Sequence, residues 1–318
     1  MSIRHRPLGK TGLVVSELSL GTWGLSGDGY GPIDAGVAEK TVARALEMGF
    51  SLFETSDAYG GGAMEVLLGK ALAGDAGKNA VVVTKVGTDR TTEPPRKRFE
   101  GAYLKERVRF SAKRLGRERI EVVLLHNPSA EVLLHGEAVD AILELKKEGL
   151  VGHFGVAVGD AEVGRAAIDK GAEVIELAYN LMHPIDLHRL AGDAMVAGTG
   201  ILARSVLAHG LLTGLWTKER EFPSEDHRAD RWTKLELERR IDQLAAVRFL
   251  VRGDVQTLRG AAVRFVLANH LVSSAVLGPK SVEQLEQLVR ETGSGPRYIA
   301  DEDLSALPRL LAKVGILT

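Results

Sequence analysis

Three apolar runs in this chain each end on a side chain that can carry or steer a proton. Residues 51–54 close on Glu54 and lead into Thr55, Ser56, Asp57, Ala58, Tyr59 and Gly60; residues 81–85 close on Lys85, and residues 120–126 close on His126. A carboxylate, an ammonium and an imidazole at successive run ends, with a phenol just behind the first, suit proton transfer to a polarised oxygen. In such a set the lysine favours phenolate and lowers the pKa of Tyr59, while the carboxylate keeps the lysine charged and oriented. Tyr59 is then a general acid, and His126 donates a hydrogen bond to the oxygen that gains negative charge. Taken singly, each residue has a plainer reading: Glu54 or Lys85 as a capping charge, His126 as a structural histidine, Tyr59 as a packing aromatic. Their joint placement favours a site.

Such placement requires elements that gather distant run ends. Short β-branched runs at 18–22, 51–54, 81–85, 120–126, 152–158, 174–178, 201–203 and 275–278 read as strands. Between them lie amphipathic segments such as 38–48, 104–115 and 138–147, whose apolar residues recur at helical spacing. Gly49, Gly149 and Gly171 each follow a last helical turn, where a left-handed residue is needed. Strand and helix in unbroken alternation predict parallel strands with covering helices. Eight such units favour a closed (β/α)8 barrel, an α/β fold whose strand ends converge on one face. Residues 6–15 read as a hairpin that plugs one mouth. Two long loops, 87–100 and 205–233, break the pattern, and long loops inside a compact domain are usually functional. With no linker, repeat or low-complexity tract, residues 1–318 read as one domain.

Composition excludes some function classes. Lys and Arg number 41 against 42 for Asp and Glu, a formal net charge of −1 that gives no reason to expect nucleic acid. No stretch approaches the roughly 20 apolar residues of a membrane helix, and the first six residues lack the apolar segment of a signal peptide. The absence of cysteine fits a reducing compartment, so the expected location is the cytoplasm. The stretch from Leu8 to Thr11 fails as a phosphate loop because Arg4 stands where its first glycine belongs. His183, His188 and His209 form no convincing metal set, and the expected metal content is none.

The strand-end residues also carry a resemblance. Glu54 to Gly60, Val83-Thr84-Lys85, Leu124-Leu125-His126-Asn127-Pro128, Tyr179-Asn180, Ser205 to Gly214 and Gly278-Pro279-Lys280-Ser281 occur in the order seen in aldo-keto reductases, and the likeness spans nearly the whole chain. The resemblance implies a barrel that binds NADPH without a Rossmann domain, a small-molecule carbonyl substrate, and Tyr59, Lys85 and His126 as catalytic residues. It implies a cofactor site from Gly21, Thr22, Trp23, Glu176, Arg204, Ser205, Leu207, Gly210, Leu212, Arg228, Gly278, Lys280 and Gln284. Gly278 to Ser281 opens a helix, where backbone amides and Lys280 favour phosphate. This resembles the family's site for the 2′-phosphate of NADPH.

Departures from the family's pattern matter as much. Glu54 stands where the family has aspartate, and ~1 Å of misplacement can cost on the order of 100-fold in rate. Asp57 could be proposed in its stead, but its position reads as a turn residue. A glutamate can reach Lys85 if the backbone recedes. The usual Ser-Asn pair that holds the carboxamide is Ala157-Val158, and the usual glutamine is Glu176, which could still accept from the amide. Arg204 replaces a stacking aromatic and can stack likewise, or form a strand-end salt bridge. Arg228 could fold over the pyrophosphate. The implied activity is NADPH-dependent reduction of an aldehyde or ketone. The departures keep open a nucleotide-binding sensor or weakly active relative, and a lyase or isomerase using Tyr59 and Lys85 without net redox. The substrate pocket would be lined by Trp23, Tyr30 and the long loops.

Overall fold

The computed structural model describes residues 3–293, 295 and 298–318. Eight parallel strands close into a barrel: β1 (Leu18–Gly21), β2 (Leu52–Glu54), β3 (Val81–Val86), β4 (Ile120–His126), β5 (Val151–Ala157), β6 (Val174–Ala178), β7 (Gly200–Arg204) and β8 (Val272–Leu277). All the expected strands are present, with β8 beginning earlier than its apolar run suggested. The helices that follow them are α1 (Ala35–Glu47), α2 (Ala63–Ala71), α3 (Gly101–Leu115), α4 (Glu137–Lys147), α5 (Ala161–Asp169), α6 (Ile185–Ala197), α7 (Leu258–Ala268) and α8 (Val282–Thr292).

Local sequence sets these boundaries. Asp34, Asp160, Thr257 and Ser281 accept from backbone amides at the starts of α1, α5, α7 and α8, satisfying donors that a first turn leaves open. Gly49, Gly149 and Gly171 take φ of 88°, 87° and 82°, the left-handed conformation that ends a helix without a Cβ penalty.

Strand alternation divides the apolar residues into two sets. Leu52, Val81, Val83, Val122, Leu124, Ala157, Val174, Leu202 and Val276 fill the barrel interior together with Leu8 and Val15 of the N-terminal hairpin. Their neighbours Phe53, Val82, Val123, Leu125, Val156 and Ile175 face outward against the helices. The hairpin pairs His5–Pro7 with Val14–Ser16, antiparallel. Leu8 at its turn is fully buried, so the hairpin closes the mouth at the strand starts and leaves the opposite mouth to the long loops.

Neither loop is featureless. The first, expected as loop, folds a small antiparallel pair, Thr88–Asp89 with Arg96–Lys97. The second forms a 3-10 turn at Ala208–Thr213 and runs to Thr233, whose capping box with Glu236 starts an additional helix, Lys234–Gln243. A final helix, Asp301–Lys313, buries Leu307 and Leu311. Among the described residues no helix is long and apolar enough to cross a membrane.

Candidate active site

Following the interior set toward the strand ends leads to Glu54 after Leu52, Lys85 after Val83, His126 after Leu124, Glu176 after Val174 and Arg204 after Leu202. These are inward positions at or near the carboxyl ends of β2, β3, β4, β6 and β7, and the barrel brings them together.

Lys85 is the hub. Its ammonium donates to Glu54 Oε1 and, at 3.0 and 3.3 Å, to the two carboxylate oxygens of Glu176. All three residues are sealed from solvent, at 2 % exposure for Lys85, 3 % for Glu54 and none for Glu176. Burial opposes the lysine's charge, but Glu176 and Glu54 outweigh it and hold its pKa well above the ordinary value. Burial, with the like charge of Glu176, pushes Glu54 up even though Lys85 pulls it down. Glu176, expected to accept from a carboxamide, accepts with both oxygens from Lys85, a contact that sequence reasoning does not reach. The alternation Val174, Glu176 along β6 was the available signal. Arg204 approaches the same carboxylate at 3.7 Å and donates to Val158 O at 3.1 Å, so the strand-end salt bridge exists.

Room for the glutamate comes from Gly21, its register partner on β1. A Cβ there would lie 2.9 Å from Glu54 Oε2 and 2.8 Å from Val276 Cγ1. The longer side chain thus lies against a neighbour that has none.

The loop after β2 is stitched to the next strand. Thr55 N donates to Val83 O at 2.8 Å, Asp57 N to Lys85 O at 3.0 Å and Ser56 Oγ to Lys85 O at 2.9 Å. Asp57 is buried against Arg107 of α3 at 2.8 Å, and burial raises its pKa to about 6; it ties the loop to a helix and faces away from Lys85. Gly60, Gly61 and Gly62 follow with φ of 58°, 62° and 97°, a left-handed run open only to glycine at low cost, and this reversal lays Tyr59 over the mouth. The Lys85 ammonium lies 5.1 Å from the Tyr59 ring centroid. The Tyr59 and His126 rings meet edge to face, centroids 6.1 Å apart.

The electrostatics correct one expectation. Lys85 does draw the Tyr59 pKa down, but burial first and Glu54 second outweigh it, so the net shift is upward and the phenol holds its proton. His126 is driven well below the ordinary histidine value by burial and by Lys85, Lys97 and Arg204, and is neutral. Its Nδ1 lies 3.2 Å from Ser56 Oγ.

Most of the expected cofactor residues fall on the arc from β6 round to β1. Ser281 caps α8, Lys280 N donates to Gln284 Oε1 at 2.9 Å, and Lys280 Nζ donates to Tyr30 O at 2.7 Å. A Cβ on Gly278 would meet nothing within 4 Å, so the end of β8 opens onto space beside the first amides of α8 and the Lys280 ammonium. That donor set suits a phosphate. Ser205 sits at φ 57° before the 3-10 turn, and Gly210 lies against Trp216 and Arg228. Leu207 is partly buried against the core. Leu212 is not brought to this arc: it is fully buried in the core and its N–H is spent on Leu207 O. Arg228 is gripped by Asp226 and lies over Tyr30, Trp216 and Phe222, so it is a built part of the loop. Thr22 is buried on Thr55 Oγ1, and Trp23 packs with Tyr30 and His227. On the ring side Ala157 and Val158 offer no polar side chain. His183 pairs with Asp186 at 2.6 Å, His188 with the Tyr179 hydroxyl at 3.3 Å, and His209 packs on His227 and Trp232. Among the described residues no group of His, Asp and Glu could hold a metal ion.

Comparison with known proteins agrees with this geometry. Residues 17–292 match the Aldo/keto reductase family. The chain is similar to Aldo-keto reductase YhdN of Bacillus subtilis, 27% identical over 92% of this chain and 89% of that protein. It is similar to an NADH-specific methylglyoxal reductase of Escherichia coli, 29% identical over 67% of this chain and 70% of that one. Among solved structures, the glycerol dehydrogenase AKR11B4 from Gluconobacter oxydans superposes with a TM-score of 0.84 at 25% identity, over 100% of this chain and 97% of that one.

Proposed function

Because the chain belongs to the aldo/keto reductase family of oxidoreductases, we propose that it reduces an aldehyde or ketone to an alcohol at the Glu54, Tyr59, Lys85 and His126 layer. A bound nicotinamide cofactor supplies the hydride that the carbonyl carbon accepts. The remaining work falls to side chains. Neutral His126 and the Tyr59 hydroxyl hold the carbonyl oxygen, and Tyr59 gives up its proton as that oxygen gains charge. The Lys85 ammonium stabilises the resulting phenolate, and Glu54 with Glu176 fixes the ammonium beneath the ring. With that hydride and the Tyr59 proton, the substrate would gain the two electrons and two hydrogens of an alcohol.

The observation that carries this reading is a phenol seated over a buried, doubly anchored ammonium, with an imidazole beside it. We assign the cofactor as NADPH because Lys280, Gln284 and the amides at the start of α8 form a cation-bearing cradle at an open strand end. The similarity to an NADH-specific methylglyoxal reductase makes this a point to test: kcat/KM for NADPH and NADH should differ in favour of NADPH, and Lys280→Met should erase most of the difference. Oxidation of NADPH by reactive aldehydes tests the activity itself.

A nucleotide-binding protein with little turnover is the second reading, favoured by Ala157 and Val158, which offer a carboxamide no side-chain donor. Glu54→Asp separates the two. A working reductase fitted around glutamate loses rate, a crippled one gains it, and a sensor shows neither.

A further inference from the structure

Lys97 stands out beside this site because its charge is not answered. It lies on the second strand of the small hairpin above β3, and its ammonium donates to His126 O at 2.7 Å and to Thr88 Oγ1 at 2.9 Å. An ammonium has three donors, so one N–H remains. No carboxylate lies within ion-pair distance of it among the described residues, although its hairpin neighbour Arg96 has Asp89. Asp57, whose charge also reaches Lys97, is already committed to Arg107. Within the layer below, Lys85 and Arg204 are matched by Glu54 and Glu176, and His126 is neutral. Lys97 is therefore a cation at this mouth with no carboxylate in ion-pair distance among the described residues, as Arg231 is beside Arg204 and Tyr30. Lys97 is exposed as a residue, yet crowding around its ammonium and the nearby Lys85 charge push its pKa down to about 8. It is a cation that gains from a bound anion.

We propose that Lys97 is a specificity-determining residue that binds the anionic group, carboxylate or phosphate, of a short carbonyl substrate. The proposal rests on the reductase reading above. Lys97 is bonded to the backbone of the residue whose imidazole faces the carbonyl position, so the anion and the carbonyl are separated by about the reach of one side chain. That geometry suits small oxo acids, semialdehydes or phosphorylated aldehydes, in which a few carbons join the two groups. The reduction is unchanged; only the choice of substrate is set.

The test compares matched substrates with NADPH: benzaldehyde against 4-carboxybenzaldehyde, and glyceraldehyde against its 3-phosphate. The unsubstituted enzyme should favour one or both anionic members, mainly through KM, and the favoured pair tells carboxylate from phosphate. Lys97→Met should lower the anionic-to-neutral ratio of kcat/KM by roughly tenfold, the worth of one charge-assisted hydrogen bond, and Lys97→Arg should restore most of it. An unchanged ratio in Lys97→Met overturns the proposal while leaving the reductase reading intact. If no aldehyde is reduced, the reductase reading fails, and calorimetry with NADP+ and 4-carboxybenzyl alcohol against benzyl alcohol still decides: equal affinities, or a preference that survives Lys97→Met, reject the anion site.

Discussion

Glu54 carries one methylene more than an aspartate, and the space for it is the missing side chain of Gly21. Gly21→Ala should therefore strike the site without touching substrate. Its Cβ would crowd Glu54 Oε2 at 2.9 Å, displacing the carboxylate from Lys85, and a shift of that size is expected to cost on the order of 100-fold in kcat. Glu54→Asp in the same chain should recover part of the loss. Glu176 sets a second expectation. Its charge helps raise the Glu54 pKa, and Glu54 anchors Lys85 only when ionised, so kcat should fall as pH drops through the Glu54 pKa. Glu176→Gln removes the like charge and lowers that pKa. The acid limb of the kcat profile should then move to lower pH; a limb that stays in place or moves up contradicts the coupling. The types at Glu54, Lys85 and His126 were legible because each ends an apolar run. The Lys85–Glu176 contact was not, because β3 and β6 are not neighbours in the barrel and only closure brings them together.

At the scale of elements, alternation along the strands does two tasks, filling the interior below and presenting polar groups above. The hairpin completes the filling. Leu8 at the hairpin turn is fully buried among interior residues of the barrel, and Leu8→Ala should destabilise the fold by about 2–5 kcal/mol, read from denaturant unfolding, with kcat little altered because the plug lies at the opposite mouth. Strands and helices were readable from period and from capping residues, since those signals are local. The hairpin carrying Lys97 was not, because its strands are two residues each and make no apolar run. Likewise the net rise of the Tyr59 pKa depends on how deeply the loop buries the phenol, which residue types alone do not give.

For the molecule as a whole, the near-neutral formal charge of −1 conceals a separation of tasks around one mouth. Lys280 and the start of α8 present cationic groups on one side, the compensated Glu54–Lys85–Glu176 cluster lies at the centre, and Lys97 stands on the other. Lys280→Met should raise KM for NADPH by roughly tenfold while leaving KM for NADH nearly unmoved, and equal effects on both would remove Lys280 from phosphate recognition. The barrel and its family were legible because ordered strand-end motifs run the length of the chain. Cofactor choice and substrate were less so, because both depend on loops whose course follows from packing rather than periodicity. The most direct measurement is NADPH oxidation with a reactive aldehyde by the unsubstituted protein and by Tyr59→Phe, with NADPH affinity followed in parallel by tryptophan fluorescence. The expected result is measurable reduction that falls by ~100- to 10,000-fold in Tyr59→Phe at unchanged NADPH affinity; undiminished turnover without the hydroxyl would contradict the account.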